Sequence, residues 1–181
     1  MFKNLILIIV YIFMCSQSHA EFVFTDKFNE KNEWNFITDQ VMGGISTGKY
    51  SYEKINNVNI LKINGNVSTK NNGGFIQVRR NLNNINLKNA KNVEVIAKGN
   101  NEKYFIHLRT NFTLLPWQYY QYSFTVKKKF KNFILPIRNF KKSGFLLPDK
   151  IKQKNIKSIG IVAFGRDHKA ELTVKEINFT K

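Results

Sequence analysis

Short stretches in which apolar and polar residues alternate follow one another along most of this chain, with turn residues between them. Residues 92–98, 103–110 and 119–127 show the alternation most clearly. A period of two is typical of β-strands that bury one face, whereas an amphipathic helix repeats its apolar residues every three or four positions. About ten such strands, separated by turn signals roughly every 8–12 residues, are typical of β-sandwiches. The sequence therefore predicts an all-β fold, a two-sheet antiparallel β-sandwich or jelly roll.

Three segments refine this prediction. Lys157–Phe164 is a nearly continuous apolar run, which is typical of a strand buried on both faces. Pro136 lacks a backbone donor, so it is expected at a strand end or on an edge strand. The alternation breaks between Val174 and Ile177, which predicts a β-bulge there.

Turn and helix signals are sparse outside these strands. Gly99-Asn100-Asn101 predicts a hairpin that joins the strands on either side of it. Asn29–Trp34 is a polar segment that we expect to be a loop or a single turn. Apart from that segment, only Asp149–Asn155 could hold a helical turn.

Length and composition favour one domain with a substantial core. The chain has 181 residues, of which 43% are hydrophobic and 16 are Phe. No internal repeat or long linker is visible, so we expect residues 21–181 to form a single β-sandwich domain. Cys15 is the only cysteine and precedes this region, so the domain folds without disulfides.

The first 20 residues have the pattern of a secretory signal peptide. Lys3 supplies a positive charge, Leu5–Met14 is apolar, and Ser18-His19-Ala20 ends the segment with small residues in the positions that precede cleavage. The apolar run is shorter than the roughly 20 residues of a membrane-spanning helix. We expect residues 1–20 to be a signal peptide, and the mature protein to be periplasmic or secreted, without a transmembrane segment.

The chain is strongly basic, with 29 Lys and Arg against 12 Asp and Glu and a net charge of +17. Lysines cluster at strand ends and loops, as in residues 127–131 and 150–157, where a solvated rim is the simplest interpretation. Such charge would suggest nucleic-acid binding in a cytosolic protein. The predicted export argues against a nucleic-acid partner and leaves a weak, salt-dependent attraction to an anionic membrane surface or to a polyanionic glycan of the envelope.

Two Gly-Gly turns, Gly43-Gly44 and Gly73-Gly74, each open into a predicted strand. Glycine permits positive φ or close approach, and we expect Gly44 either to have a positive φ or to lie against neighbouring backbone. Asp39 can cap the first turn. The turns are either two independent tight turns or the two halves of one site. In the second interpretation, the residues expected to gather there are Asp39, Ser46, Asn72 and Arg79, with Trp117 near the rim.

The motifs around these turns resemble those of the complex I intermediate-associated protein 30 family. In chain order they are Trp34, Asp39-x-Val41-Met42-Gly43-Gly44-x-Ser46, Asn72-Gly73-Gly74-Phe75 with Arg79, Tyr104-x-x-x-Leu108-Arg109-Thr110, Trp117-x-x-Tyr120 with Phe124, Leu135-Pro136-Ile137-x-x-Phe140 and Ile156-x-Ser158-Ile159-Gly160-Ile161. The resemblance covers roughly residues 22–179, essentially the whole expected mature chain.

This resemblance implies a galactose-binding-like jelly roll in which the glycines and Arg109 belong to a structural motif. For mitochondrial members of the family it implies a chaperone-like, non-catalytic role in the assembly of respiratory complex I, and hence a protein partner. The predicted export departs from that picture, because those members act in the mitochondrial interior. The fold therefore carries over more readily than the complex I role.

Catalytic and cofactor-binding patterns are absent from the sequence. His107 and His168 are the only histidines after residue 20, and no cysteine accompanies them to complete a metal site. We find no nucleophile elbow, phosphate-binding loop or dinucleotide-binding motif. Asp39, Asp149 and Asp167 could supply a glycosidase pair, but nothing in the sequence places two of them together. We expect no enzyme activity, no cofactor and no metal.

Aromatic residues and two arginines offer binding chemistry instead. Trp117 lies in a predicted loop and Tyr119 begins the strand that follows, and such rings suit protein hot spots and the apolar faces of sugars alike. The neighbouring Tyr120, Tyr122 and Phe124 are more simply explained as the inward face of a strand. Arg79 and Arg109 stand on predicted strands, and pairing of Arg79 with Asp39 would lock the first turn.

Two classes of function therefore remain open. The first is an accessory module that holds a protein partner during assembly, which a large exposed apolar patch around Trp117 would favour. The second is a carbohydrate-binding module of the cell envelope, which a concave cleft with an aromatic floor and a polar rim would favour.

Overall fold

The computed structural model describes residues 21–181, which contain twelve strands and four short 3₁₀ turns. The predicted signal peptide lies outside the described residues. Among the described residues, no helix has the length and apolar character needed to cross a membrane. The strands are β1 (Phe22–Asp26), β2 (Trp34–Thr38), β3 (Thr47–Ile55), β4 (Val58–Val67), β5 (Phe75–Asn81), β6 (Asn92–Gly99), β7 (Lys103–Thr110), β8 (Tyr120–Thr125), β9 (Lys131–Pro136), β10 (Lys141–Lys142), β11 (Ile156–Phe164) and β12 (His168–Thr180).

The strands form two antiparallel sheets that pack face to face. The first sheet has the order β3-β4-β12-β6-β9, and β1 pairs with the far end of β12. The second sheet has the order β10-β8-β7-β11-β5-β2. This arrangement confirms the predicted all-β sandwich.

The core lies between the sheets and is built from every second residue of each strand. In β5, Ile76 and Val78 are fully buried, whereas Phe75, Gln77 and Arg79 point to the other face. Tyr120 and Phe124 of β8 belong to the core and Tyr122 packs against it, as the sequence predicts. The alternation thus places side chains that are not needed for the core, such as Gln77 and Arg79, on the outer face of the second sheet.

Several local predictions are confirmed. Pro136 ends β9, which is an edge strand of the first sheet. The register of β12 against β6 shifts between Val174 and Glu176, which is the predicted bulge. β11 lies inside the second sheet and is buried along most of its length.

Two local predictions are wrong. Gly99-Asn100-Asn101 does not close a hairpin, because β6 pairs with β12 and β9 while β7 pairs with β11 and β8. The turn instead carries the chain from one sheet to the other, with Asn101 at φ 67°. Trp34 does not lie in a loop. It begins β2, is buried, and donates its indole N–H to Asp26 at 2.8 Å.

Candidate functional site: a cleft on the second sheet

The two Gly-Gly turns meet at the carboxylate of Asp39, which is fully buried. This carboxylate accepts hydrogen bonds from the backbone N–H groups of Ser46 at 2.9 Å, Gly74 at 2.5 Å and Phe75 at 3.2 Å. The Ser46 hydroxyl donates to the same carboxylate. One side chain from the first turn thus satisfies backbone donors of the second.

Glycines are required here because the backbone approaches the carboxylate closely. A Cβ atom at Gly73 would lie 2.5 Å from Oδ2 of Asp39, and one at Gly44 would overlap the Asp39 side chain. Gly43, at φ 86°, is the residue of the first turn in the left-handed region. The expectation for Gly44 is therefore corrected in its detail, since its close neighbour is a side chain rather than backbone.

The hydrogen bonds decide the charge state of Asp39. Burial raises the pKa of this carboxyl, but the hydrogen bonds from Gly74, Ser46 and Phe75 together outweigh burial and lower the pKa below its ordinary value. Asp39 is consequently a fully buried anion held by backbone dipoles.

The remaining residues expected beside Asp39 lie in different places. Ser46 is buried with Asp39, whereas Asn72 is exposed at φ 57° in the second turn. Arg79 makes no ion pair with Asp39, and within residues 21–181 its side chain makes no hydrogen bond or ion pair at all. The expected Asp39–Arg79 pair is wrong because the donors that hold Asp39 are backbone N–H groups and one hydroxyl.

A cleft of about 540 Å³ opens on the outer face of the second sheet. Its floor comes from the outward residues of β5, β11 and β7, and its two walls come from the 3₁₀ turn after β2 and from the loop between β7 and β8. The sequence-predicted residues in its lining are Arg79, Arg109, Trp117 and Tyr119, and His107 also lines the cleft.

The floor is shaped by a glycine and a stacked pair. Gly160 of β11 lies between Gln77 and His107, and its missing side chain leaves space at the centre of the floor. The rings of His107 and Tyr119 stack with centroids 3.9 Å apart and an interplanar angle of 7°. Burial lowers the pKa of His107 to about 3, and the nearby Gln121 side chain opposes the shift only weakly. His107 is therefore a neutral ring that supports Tyr119.

Both walls carry exposed apolar side chains. In the turn after β2, Val41 is 72% exposed and Met42 is 50% exposed. In the loop between β7 and β8, Leu114 is 82% exposed and Trp117 is 63% exposed. Exposed apolar side chains gathered around a cleft form the kind of contiguous patch that is typical of interaction sites, whereas single exposed apolar residues are common on any surface.

Arg109 holds the second wall in place. Its guanidinium donates to the carbonyl oxygens of Thr113 at 3.0 Å and Leu115 at 2.9 Å. The Ser143 hydroxyl donates to the Trp117 carbonyl at 2.9 Å, which fixes the end of the same loop. The wall is therefore preformed, and Arg109 has a structural task as well as a place in the cleft.

The three acids considered for catalysis lie apart and outside the cleft lining. Asp39 is buried in the turn cluster. Asp149 pairs with Lys142 at 2.7 Å, and Asp167 accepts from the backbone N–H of Thr69 at 2.7 Å. Residues 21–181 contain no group of three or more His, Cys, Asp or Glu that could hold a metal ion.

Sequence reasoning missed several lining residues, namely Phe75, Gln77, Gly160, Val162, Phe164, Val41, Met42 and Leu114. The signal for the floor was available, because alternation places residues 75, 77 and 79 on the face opposite the core. The wall residues lie in irregular segments without periodicity, so no such signal marks them.

Comparison with known proteins adds a family and a fold. Residues 22–174 match the family model described as complex I intermediate-associated protein 30. Among solved structures, the chain is similar to the family 11 carbohydrate-binding module of the cellulosomal cellulase Lic26A-Cel5E of Clostridium thermocellum, with a TM-score of 0.68, 12% identity and coverage of 90% of this chain and 95% of that one.

A family 11 module from the same organism, in complex with a β-1,3-1,4-mixed-linked tetrasaccharide, has a TM-score of 0.67, 13% identity and coverage of 88% and 95%. A family 30 carbohydrate-binding module has a TM-score of 0.51, 12% identity and coverage of 89% and 94%. No curated protein matches the sequence significantly. At such low identity these similarities show the fold alone.

Proposed function

The chain belongs to the complex I intermediate-associated protein 30 family, and from this premise we propose that it is a non-catalytic binding module that holds a segment of a protein partner in the cleft, in an assembly role. The signal-like first 20 residues support the further proposal that it acts outside the cytoplasm, in the periplasm or as a secreted protein. A role at complex I itself is not part of this proposal.

The observation that carries the proposal is the composition of the cleft walls. Val41, Met42, Leu114 and Trp117 expose apolar surface on both sides of a preformed trough. Exposed apolar side chains gathered around a cleft are typical of sites that bury the side chains of a partner. The absence of paired carboxylates or a metal set from the lining supports binding rather than catalysis.

A carbohydrate-binding module of the cell envelope is the second candidate. The cleft has an aromatic floor with Tyr119, and Gln77 and Ser158 offer polar groups that could bind hydroxyls. The fold is shared with a module whose structure contains a mixed-linked tetrasaccharide. The aliphatic walls favour the protein partner, because Val41, Met42 and Leu114 offer sugar hydroxyls no hydrogen bond.

Site-specific photo-crosslinking tests the first candidate. Benzoylphenylalanine replaces Leu114 on the cleft wall, and a control protein carries it at Phe22, which is 58% exposed and lies on β1 of the other sheet. We expect a protein crosslink from position 114 and none from position 22. Adding Gly160→Leu should abolish the crosslink, because the new side chain fills the floor, while the one tight contact of its Cβ is with the end of the flexible Gln77 side chain at 3.1 Å.

Binding to soluble mixed-linked β-glucan, measured by affinity electrophoresis, tests the second candidate. Retarded migration that Gly160→Leu abolishes, together with no protein crosslink, would replace the protein partner by a glycan. Export is tested separately by N-terminal sequencing of the protein from the extracellular and envelope fractions. The expected first residue is Glu21, and an intact Met1 in the membrane pellet would overturn the proposed export.

A further inference from the structure

Arg79 is a half-buried cation for which the described residues 21–181 supply no hydrogen-bond or ion-pair partner. It projects from β5 into the cleft opposite Gly160, where the neighbouring strand contributes no side chain. Its guanidinium has five donors, yet within residues 21–181 none of them meets a carboxylate or any other acceptor. By contrast, the adjacent Arg80 on the inner side pairs with Asp26 and Glu33.

A second arginine increases the positive charge at this point. Arg109 lies on β7, across β11 from Arg79, and both line the same cleft. Burial lowers the pKa of Arg109, and the charge of Arg79 lowers it further. Like charges this close repel each other, and the backbone carbonyls bound by Arg109 compensate only its own hydrogen-bonding groups.

No acidic side chain offsets this charge. The lining of the cleft contains neither Asp nor Glu. A second cavity of about 350 Å³ shares Arg79 and Arg109 with the cleft, and its lining adds Lys157 but again no acid. Within the described part of the chain, the arginine pair therefore stands at the junction of two cavities without a counter-charge.

The surroundings of Arg79 indicate what else the ligand must carry. Trp117, Leu114 and Phe164 present apolar surface in the same cleft. A ligand that fills the space must therefore combine an anionic group with an apolar group nearby. Acidic peptide segments with aromatic or aliphatic side chains have this combination, whereas an acidic polysaccharide would leave the aliphatic wall without complementary surface.

From these observations we propose that the partner segment is acidic, and this proposal rests on the function proposed above. A carboxylate of this segment binds the guanidinium of Arg79, and an adjacent apolar side chain packs against the wall formed by Leu114 and Trp117. The carboxylate comes from an Asp or Glu side chain or from the carboxyl terminus of the partner. Arg suits this task because its planar fork can bind both oxygens of one carboxylate.

A peptide selection followed by quantitative binding tests this proposal. Random peptides displayed on phage, some with a free carboxyl terminus, are selected on the protein that begins at Glu21. Selected peptides are then synthesised in two forms, with each Asp and Glu retained or replaced by Asn and Gln, and with the carboxyl terminus free or amidated. Fluorescence polarisation gives the Kd for Arg79→Gln, for Arg79→Lys and for the control Arg138→Gln, which removes the same charge from an exposed site outside the cleft.

We expect acidic residues, or a free carboxyl terminus, next to an aromatic or aliphatic residue in the selected peptides. Arg79→Gln should weaken binding by about tenfold or more, Arg79→Lys by less, and Arg138→Gln by less than about twofold. The uncharged peptide should lose a similar factor with the original protein and lose nothing further with Arg79→Gln. Such non-additivity would place the carboxylate on Arg79.

Other results separate the failure of this proposal from the failure of the function itself. If Gly160→Leu abolishes peptide binding, the peptide occupies the cleft. If the same peptide binds Arg79→Gln as tightly as the original protein, the proposal of an acidic segment is overturned, whereas the binding module is retained. Peptide binding that survives Gly160→Leu would overturn both. A library that yields no peptide, while uronate or mixed-linked glucan oligosaccharides bind in the cleft, would overturn the acidic segment in favour of a glycan.

Discussion

Gly44 and Gly73, one from each Gly-Gly turn, both pack against the carboxylate of Asp39, where neither could carry a side chain without displacing it. The glycines therefore act as a pair, because each leaves room for the same buried anion. The turns hold the β2 and β5 ends of the second sheet together, next to the wall that carries Val41 and Met42.

The first prediction concerns this close approach. Gly44→Ala should lower the free energy of unfolding by about 1–3 kcal/mol, because the added carbon overlaps Asp39 and must push it from its donors. Gly144→Ala is the matched control, since nothing lies within 4 Å of a Cβ there. Urea unfolding measures both variants. Equal urea midpoints for the two variants would show that Asp39 and its hydrogen-bond donors accommodate the added carbon without loss of stability.

The second prediction concerns the charge of Asp39. Because its pKa is lowered in the folded state, Asp39 contributes stability above the unfolded pKa of about 4 and loses it as the pH falls further. Asp39→Asn should cost about 2–3 kcal/mol at pH 7, since an amide nitrogen would face backbone donors. The gap between the two proteins should narrow in acid. A constant gap from pH 7 to about pH 3 would mean that the carboxylate charge is irrelevant.

The third prediction concerns His107. Its pKa of about 3 lies below the unfolded value of about 6.5. The unfolded chain therefore binds more protons below pH 6.5, and the free energy of unfolding decreases as the pH is lowered. At pH 5 this residue alone should remove about 2 kcal/mol relative to pH 8. His107→Phe keeps a ring on Tyr119 and should remove that part of the pH dependence.

Thermal and urea unfolding between pH 5 and pH 8 measure this effect. His168 is replaced by Gln in both proteins. His107 is then the one histidine after residue 20 in the reference protein, and the His107→Phe variant has none there. An unchanged slope of stability against pH in His107→Phe would show that the imidazole gains a proton without leaving its site.

The fourth prediction concerns Arg109 and the cleft wall. Arg109→Gln should release the carbonyls of Thr113 and Leu115 and loosen the loop that carries Trp117. Limited digestion with chymotrypsin should then cut this loop several-fold faster, roughly in proportion to its local opening. Arg79→Gln is the control, because Arg79 makes no such bonds. Equal cleavage rates in both variants would show that Arg109 does not hold the wall.

The fold could be predicted because alternation is a local property. Ile76 and Val78 signal the core whatever lies opposite them, and the same pattern places Phe75, Gln77 and Arg79 outside. The hairpin prediction at Gly99 failed because a turn signal does not say which sheet the next strand joins. That choice depends on β11 and β12, which follow far along the chain.

The site could be predicted in part. Both Gly-Gly turns and Asp39 are visible in the sequence, but their meeting depends on the pairing of Thr38 with Ile76, which no local pattern specifies. Arg79 was expected beside Asp39, yet it lies four residues beyond Phe75 on a strand. At about 3.3 Å per residue that is about 13 Å away. The length of the strand thus places Arg79 in the cleft, away from the Gly-Gly turn that it follows closely in sequence.

β12 also determines when the protein can fold. This strand of 13 residues pairs with β4 and β6 on its two sides and with β1 at its end, and all three precede it in the chain. The first sheet therefore has no centre until β12 has been synthesised, and its formation closes long loops, which is slow. Until then the β3–β4 and β6–β9 pairs expose the strand edges that β12 later covers, and such open edges favour association with other chains.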